Sequence, residues 1–261
     1  MKRSVFIVFL CSAFFFSSMF AQEKNPFVFN SRKNGLFLGM GAAIVTAGAF
    51  AYMNMKSVDV STLRRENIPC FDRFAVDLSN SKIADVSDVT SGIALGLPLV
   101  LALGSRDGRT VGEDALMYME SVMFMGGLTW LSKAAFGRPR PYAYRDAEAG
   151  ASSLSPNAVR SFFSGHTAAA FNGAVFAGTV FQKRYPDSDW VKPVWAFGLT
   201  AATATAVFRV TSGNHFPTDV IAGAVMGSLT GWLIPRLHAR RYDETGLFLR
   251  MDGRIGLGYQ F

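Results

Sequence analysis

The fold is decided by residues 161–181, SFFSGHTAAAFNGAVFAGTVF, where a short polar turn leads into an apolar run. The apolar part, Thr167–Phe181, carries no charged residue and is rich in alanine and glycine. Small side chains let helix backbones approach closely, as helix bundles in membranes require. The stretch therefore predicts a helix that packs inside a membrane-associated bundle.

Five further apolar stretches of similar composition complete a set of six. They run approximately over Leu36–Met53, Ile93–Leu103, Ala115–Trp130, Val194–Phe208 and Val220–Ile234. Most are near or below the roughly 20 residues that a helix needs to cross a bilayer, so several need their flanks or a tilt. We predict an all-α, membrane-associated helical bundle of about six core helices. Glu120 and Asn172, which lie within these stretches, are interpreted as buried, structural hydrogen-bonding residues.

The overall composition supports this fold class and restricts the partners. Half of the residues are hydrophobic and 17% are charged, against roughly 25% charged in ordinary soluble domains. The net charge of +7 favours anionic partners such as acidic lipid or a phosphorylated substrate. The basic residues are scattered among apolar segments, which argues against a nucleic-acid module. Oligomeric state is not encoded in any pattern that we recognise.

The two ends of the chain differ in character from the helical region. Lys2 and Arg3 precede an apolar run that ends in small residues near Ala21, which is typical of a secretory signal peptide over residues 1–21. An uncleaved anchor helix is the alternative. Residues 22–240 form the predicted helical domain. In the tail, 241–261, Asp252-Gly253 between two apolar runs predicts a short β-hairpin.

The first of three polar clusters follows the third apolar stretch. Lys133 lies at the predicted helix end, and Arg140-Pro141 lies in the loop beyond it. A lysine supplies a point charge and an arginine a planar fork, so the two can converge on one phosphate. The alternative is that these basic residues only mark the membrane topology.

The second cluster introduces the fourth apolar stretch. Ser164 is a predicted N-cap, and the N–H groups of Gly165 and its neighbours would then form an anion site at a helix N-terminus. His166 can contact phosphate and donate a proton. The alternative is a capping turn with an incidental histidine.

The third cluster lies between the fifth and sixth stretches and contains Arg209, His215 and Asp219. A carboxylate that holds one imidazole nitrogen fixes the tautomer and makes the other nitrogen a better nucleophile. The arginine can clamp phosphate. The alternative is a helix cap beside a surface histidine. If stretches three to six cross in alternation, all three clusters lie on one face of the bundle.

The order and spacing of these clusters resemble the three-part signature of the type 2 phosphatidic acid phosphatase and vanadium haloperoxidase superfamily. The resemblance covers roughly 115–234. Two positions depart from the family pattern. Phe163 stands where the family usually has proline, and Phe208 stands where it usually has serine.

The resemblance implies a metal-independent phosphatase without cofactors that hydrolyses phosphomonoesters or diphosphates through a phosphohistidine. It implies that His215 attacks phosphorus, that Asp219 orients His215 and that His166 protonates the leaving oxygen. The implied phosphate-binding residues are Lys133, Arg140, Ser164, Gly165 and Arg209. Arg138 does not fit the spacing and is left out of the ligand set.

Membrane lipids are the substrates that best suit an apolar bundle with an anion site at its rim. Phosphatidate-like lipids, prenyl diphosphates and lipid A phosphates all qualify. The alternatives are an exported soluble acid phosphatase of broad specificity, a vanadium haloperoxidase and a non-enzymatic membrane scaffold.

The sequence gives conflicting indications of membrane topology. A cleaved signal followed by six full crossings would place the three clusters in the cytoplasm. Positive charges at 106–109, 183–184 and 236–241 indicate instead that the opposite face is cytoplasmic. We therefore predict an exported protein of the inner membrane whose active site faces the periplasm.

Overall fold

The computed structural model describes residues 25–56, 58–105 and 107–240, together with the backbone of 248–251 and 255–258. The predicted signal peptide, 1–21, lies outside the described residues, as does the predicted Asp252-Gly253 turn.

In these ranges the fold is built from seven helices of eight residues or more and one shorter helix. The helices are α1 (Ser31–Met53), α2 (Cys70–Arg73), α3 (Ser81–Leu103), α4 (Gly108–Phe136), α5 (Pro141–Glu148), α6 (Gly165–Arg184), α7 (Val191–Thr211) and α8 (Pro217–His238). Each of the six predicted apolar stretches lies within one of the six long helices.

Two parts of the fold-class prediction are corrected: the described ranges contain seven helices of eight residues or more rather than about six, and the C-terminal β-hairpin does not belong to the fold. The fold is all-α. The backbone of β1 (Phe248–Met251) pairs antiparallel with that of β2 (Ile255–Gly258). A lone two-stranded pair is marginal in water, and the described core lies entirely among the helices.

The additional helix is α5, which lies in a segment that the sequence indicated as a loop. It begins with Pro141 at its first position, where the fixed φ of proline suits a helix and its missing N–H costs nothing. Its eight residues contain no apolar run, so a search for hydrophobic stretches misses it.

Helix α3 extends well before the predicted apolar stretch Ile93–Leu103. The helix starts at Ser81 rather than near Ile93, because the Asn80 side chain caps it by accepting from the N–H of Ile83 at 3.1 Å. Two carboxylates, Asp85 and Asp88, are therefore helical.

α6 is the central helix of the bundle. Of its 20 residues, 14 are buried, and it packs against α3, α4, α7 and α8. Its contact with α8 depends on glycines spaced four residues apart. A Cβ at Gly227 would lie 2.1 Å from the carbonyl oxygen of Ala168, and a Cβ at Gly231 would lie 2.5 Å from that of Asn172. Only glycine permits this close approach of the two backbones.

A buried polar network ties the centre of the bundle together. The Asn172 side-chain amide of α6 donates to Ser121 Oγ of α4 at 2.7 Å and to Thr230 Oγ1 of α8 at 2.9 Å. The structural hydrogen bonding predicted for Asn172 is confirmed. Glu120 differs: in the described part of the chain its carboxylate accepts no hydrogen bond, and it lies 3.4 Å from Nε2 of His238.

The outer helices present apolar side chains to the surroundings. Four helices, α1, α3, α7 and α8, are long and apolar enough to cross a membrane. Large side chains on them are strongly exposed, among them Phe50 at 68% and Leu103 at 75%. Exposed apolar surface of this extent fits a lipid environment, and the fold is a membrane-type helical bundle.

Candidate active site

The three polar clusters meet at one end of the bundle. They lie at the C-terminal ends of α4 and α7 and at the N-terminal ends of α6 and α8. Two backbone hydrogen bonds hold these ends together: Ser164 N–H donates to the Asp219 carbonyl at 3.0 Å, and His215 N–H donates to the Arg209 carbonyl at 3.1 Å. Alternating helix directions therefore bring residues from distant parts of the chain into one site.

Lys133, in the last turn of α4, links the first cluster to the second. Its ammonium donates to the carbonyl oxygens of Arg160 at 2.7 Å and Phe163 at 3.0 Å. An ammonium has three N–H donors, so one is left for a ligand. Burial lowers the pKa of Lys133 to about 7, and the positive charge of Arg140 acts in the same direction.

Arg140 occupies the N-cap position of α5. Its backbone N–H donates to the Ala158 carbonyl at 2.7 Å, which fixes the loop, and its guanidinium lies 6.0 Å from the ring centre of Tyr142. The Nε atom is buried and has no hydrogen-bond partner among the described residues. Burial lowers the pKa of this guanidinium.

Ser164 and Gly165 form the start of α6. Ser164 is the N-cap, as predicted; it accepts from the Thr167 N–H at 3.4 Å. A Cβ at Gly165 would lie 3.3 Å from Thr129 Cγ2 and 4.0 Å from Lys133 Cε. The helix N-terminus thus lies directly against the lysine of the first cluster.

His166, in the first turn of α6, contacts an acidic residue that the sequence analysis did not select. Its Nε2 lies 3.2 Å from Oδ1 of Asp88 on α3, and the same oxygen accepts from Arg209 Nη1 at 3.1 Å. Burial and the Arg209 charge lower the pKa of His166 to about 4, while Asp88 acts in the opposite direction. The cap at Asn80 is the one sequence signal that could have placed Asp88 on a helix facing the site.

Arg209, at the end of α7, is 5% exposed and is held from α3. Besides the contact with Asp88, its Nη1 donates to Ser87 Oγ at 3.1 Å. Its Nε, like that of Arg140, is buried without a hydrogen-bond partner in the described ranges. Two guanidinium groups in one site therefore have a buried N–H that an anion could satisfy.

His215 lies between α7 and α8 and is 1% exposed. Its Nδ1 is 3.6 Å from Oδ2 of Asp219, longer than a hydrogen bond, and it has no hydrogen-bond partner in the described part of the chain. Burial holds the pKa of His215 well below its usual range, and the charges of Arg140, Lys133 and Arg209 reinforce the effect. The imidazole is therefore neutral at physiological pH.

Asp219, in the first turn of α8, is fully buried and strongly hydrogen-bonded. One carboxylate oxygen accepts from the Ser161 hydroxyl and from the Phe216 N–H at 2.9 Å. The other accepts from Arg138 Nη1 at 2.6 Å. These donors fix the direction of the carboxylate beside His215.

Arg138, which the spacing excluded from the ligand set, binds two buried carboxylates instead. It donates to Asp219 and, through Nη2, to Asp72 Oδ2 at 2.7 Å, with its guanidinium 4.2 Å from the ring centre of Phe216. Asp72 also accepts from the Thr218 N–H at 3.1 Å. No local pattern pairs Asp72 with Arg138, because the two lie 66 residues apart.

The two positions that depart from the family pattern have different environments. Phe163 is 4% exposed and packs with Met125 and Ala168, while its carbonyl oxygen accepts from Lys133. Phe208 is half-buried, directly before Arg209. The phenylalanine at 163 therefore contributes to the core beneath the site.

Basic side chains surround a helix N-terminus and a neutral imidazole, and the donors of such an arrangement suit an oxyanion. Residues 114–243 match the model of the family described as the PAP2 superfamily. The chain belongs to the PAP2 superfamily.

Two curated relatives each match about half of the chain. It is similar to a lipid A 1-phosphatase from Porphyromonas gingivalis, with 33% identity over 127 residues, which cover 48% of this chain and 23% of that protein. A lipid A 1-phosphatase from Rhizobium etli is 35% identical over 136 residues, which cover 50% of this chain and 51% of that protein. The matched residues thus span about a quarter of the length of the first relative and about half of the length of the second.

A solved structure also resembles the fold. It is described as the first transmembrane PAP2 type phosphatidylglycerolphosphate phosphatase from Bacillus subtilis. The TM-score is 0.46 at 20% sequence identity, and the superposition covers 77% of this chain and 98% of that one.

Proposed function

We propose that the protein is a membrane lipid phosphatase that hydrolyses phosphomonoesters through a phosphohistidine, without a metal ion. The observation that carries the proposal is the convergence of two guanidinium groups on one neutral imidazole. Arg140 and Arg209 each have a buried Nε without a partner among the described residues, and both charges act on His215. A phosphate would satisfy the two N–H groups and bring phosphorus to the imidazole.

In the proposed reaction, Nε2 of His215 attacks phosphorus while the phosphorus–oxygen bond to the leaving group breaks. Asp219 faces Nδ1 and stabilises the positive charge that develops on the ring. His166 protonates the leaving oxygen. It then removes a proton from water, which attacks phosphorus, breaks the bond to His215 and releases phosphate.

The basic side chains supply the charge neutralisation that phosphoryl transfer requires. Lys133, Arg140 and Arg209 would hold the non-bridging oxygens, with the Ser164 hydroxyl and the Gly165 N–H as further donors. Since three basic side chains of the protein surround the site, the proposed reaction needs no metal ion for this purpose.

Substrate binding also prepares His166 for its role as an acid. In the site as described, the pKa of His166 is about 4, so the ring is neutral at physiological pH. A phosphate dianion brings negative charge next to the arginines that depress this pKa. Binding therefore raises the pKa of His166 and favours its protonated form.

A phosphorylated membrane lipid is the substrate class that fits the fold. The apolar outer helices keep the site at the end of a membrane-type bundle, where a lipid headgroup can reach it while its tails stay in the bilayer. This favours the membrane enzyme over a soluble acid phosphatase. Because the curated relatives are named lipid A 1-phosphatases, a lipid A phosphate is the first substrate to test.

The test is phosphate release from lipid A, phosphatidate and a soluble aryl phosphate, with and without vanadate and EDTA. We expect release that vanadate inhibits, that EDTA leaves unchanged and that is lost in His215→Asn. His238→Gln is the control, because it removes another buried histidine outside the three clusters. An acid-labile, alkali-stable phosphoenzyme should form in the wild type and not in His215→Asn.

Three results would contradict this proposal. Loss of activity on chelation with recovery on adding a divalent cation would exclude the metal-independent mechanism. Bromide oxidation by peroxide in the presence of vanadate, without phosphatase activity, would favour the haloperoxidase alternative. A non-enzymatic scaffold would release no phosphate from any substrate.

We further propose that the site faces the periplasm from the inner membrane. Cys70 is exposed and lies two residues before Asp72, which binds Arg138 beneath the site. The thiol of Cys70 therefore reports the side of the membrane on which the site lies. The other cysteine of the chain, Cys11, lies in the predicted signal. A membrane-impermeant maleimide should label intact spheroplasts of the wild type but not of Cys70→Ser. Labelling only after lysis would place the site in the cytoplasm.

A further inference from the structure

Asp88 places a carboxylate inside the candidate active site. Its Oδ1 bridges Arg209 Nη1 at 3.1 Å and His166 Nε2 at 3.2 Å. The side chain is 58% exposed, so it lies on the solvent-accessible side of the site rather than in the core. No other acidic side chain in the described ranges has an ion pair with either of these two residues.

The packing of α3 fixes Asp88 on one side of the site. One turn further along the helix, the Ser91 hydroxyl donates to the His166 carbonyl at 3.2 Å. The neighbouring Ser87 is fully buried and accepts from Arg209. The helix therefore cannot withdraw from the site without breaking both contacts, although the exposed carboxylate can rotate.

This inference rests on the proposed function, which gives a chemical role to both residues that Asp88 contacts. Arg209 holds a non-bridging oxygen and His166 serves the leaving oxygen. A carboxylate that touches both groups lies beside the bond that breaks, on the leaving-group side of the phosphate.

We infer that Asp88 determines substrate specificity by selecting the charge of the leaving group. When a lipid diphosphate is cleaved at its terminal phosphorus, the leaving group is a lipid monophosphate, whose negative charge would meet that of Asp88. A phosphomonoester leaves as a neutral alcohol. Hydroxyl groups next to the phosphate, as on a sugar or glycerol, can donate hydrogen bonds to the carboxylate.

The closing experiment compares two substrates that share one tail, farnesyl phosphate and farnesyl diphosphate. The measured quantity is the ratio of kcat/KM for the diphosphate to that for the monophosphate. We expect Asp88→Asn to raise this ratio about tenfold, because it removes a repulsion between like charges at a half-exposed position. The amide keeps the shape of the side chain, so the change isolates the charge.

Asp85→Asn is the matched control. Asp85 is exposed one turn earlier on the same helix and lacks the ion pairs of Asp88 in the described part of the chain. Its substitution changes the protein's net charge by the same amount and should leave the ratio unchanged.

Three outcomes would overturn the inference. Wild-type values of kcat/KM for both substrates in Asp88→Asn would show that the charge does not select the substrate. An equal fall of kcat/KM for both substrates would show that Asp88 only positions His166. If the wild type releases phosphate from neither substrate nor from lipid A, the proposed function fails and the inference fails with it.

Discussion

Replacing Gly227 by alanine tests whether the close packing of α6 and α8 builds the site. An added Cβ would lie 2.1 Å from the Ala168 carbonyl oxygen and 2.9 Å from its carbon. Contacts between carbon and oxygen are normally about 3.3 Å or longer. Since backbone atoms of the partner helix cannot rotate away, the two helices must separate by about 1 Å.

This separation would act on the reacting groups through the helix ends. α6 carries His166 and α8 carries Asp219, and the Ser164 N–H to Asp219 carbonyl bond of 3.0 Å joins the two helices at the site. A misplacement of about 1 Å can lower activity about a hundredfold. Overpacking should also lower the free energy of unfolding by about 1–3 kcal/mol.

The assay measures kcat/KM for a lipid phosphate together with the thermal unfolding midpoint in detergent. Gly92→Ala is the control, because Gly92 is exposed in α3 and a Cβ there meets no atom within 4 Å. Alanine at this control position should be neutral or stabilising by up to about 1 kcal/mol. Wild-type activity and an unchanged midpoint in Gly227→Ala would refute the argument that the helix spacing sets the site geometry.

Three further predictions concern buried polar groups. Arg138→Gln removes the ion-pair partner of the buried carboxylates of Asp72 and Asp219 and should lower the free energy of unfolding by about 3–5 kcal/mol. Chemical denaturation checks this, and Arg138→Lys, which keeps the charge, should lose less stability. Asn172→Ala removes two buried hydrogen bonds and should cost about 1–3 kcal/mol, while the specific activity of the folded fraction stays at the wild-type level. Burial lowers the pKa of His215 in the folded state. Below about pH 6.5 the unfolded chain therefore binds a proton at His215 that the folded chain does not bind. The free energy of unfolding should fall as the pH drops through this range. The thermal midpoint should therefore fall less between about pH 7.5 and about pH 5.5 in His215→Gln than in the wild type.

The local patterns of the sequence predicted the long helices and the three clusters. The apolar stretch Thr167–Phe181 lies within the central helix, and Ser164 caps it as predicted. Such features can be predicted because hydrophobic runs and capping residues act over a few neighbouring positions. The short helix α5 was not predicted because it has no apolar run.

Residues outside the local patterns were found only in the folded molecule. Asp88 lies before the predicted apolar stretch Ile93–Leu103, and its partner Arg209 follows 121 residues later. The spacing of the clusters could not assign a role to the charge of Arg138. Its role is defined by its hydrogen bonds to Asp72, which precedes it in the chain, and to Asp219, which follows it.

The order and spacing of lysine, arginine, histidine and aspartate are local properties of the chain, so they sufficed to predict which residues are candidates for the chemistry. Tertiary structure alone decided how those residues are held. The α6–α8 contact, made close by Gly227, sets the distance between their helix ends. Burial within the bundle makes His215 neutral and forces Arg138 and Asp219 to pair. Burial and long-range pairing depend on which helices pack together, and no single stretch of sequence encodes that.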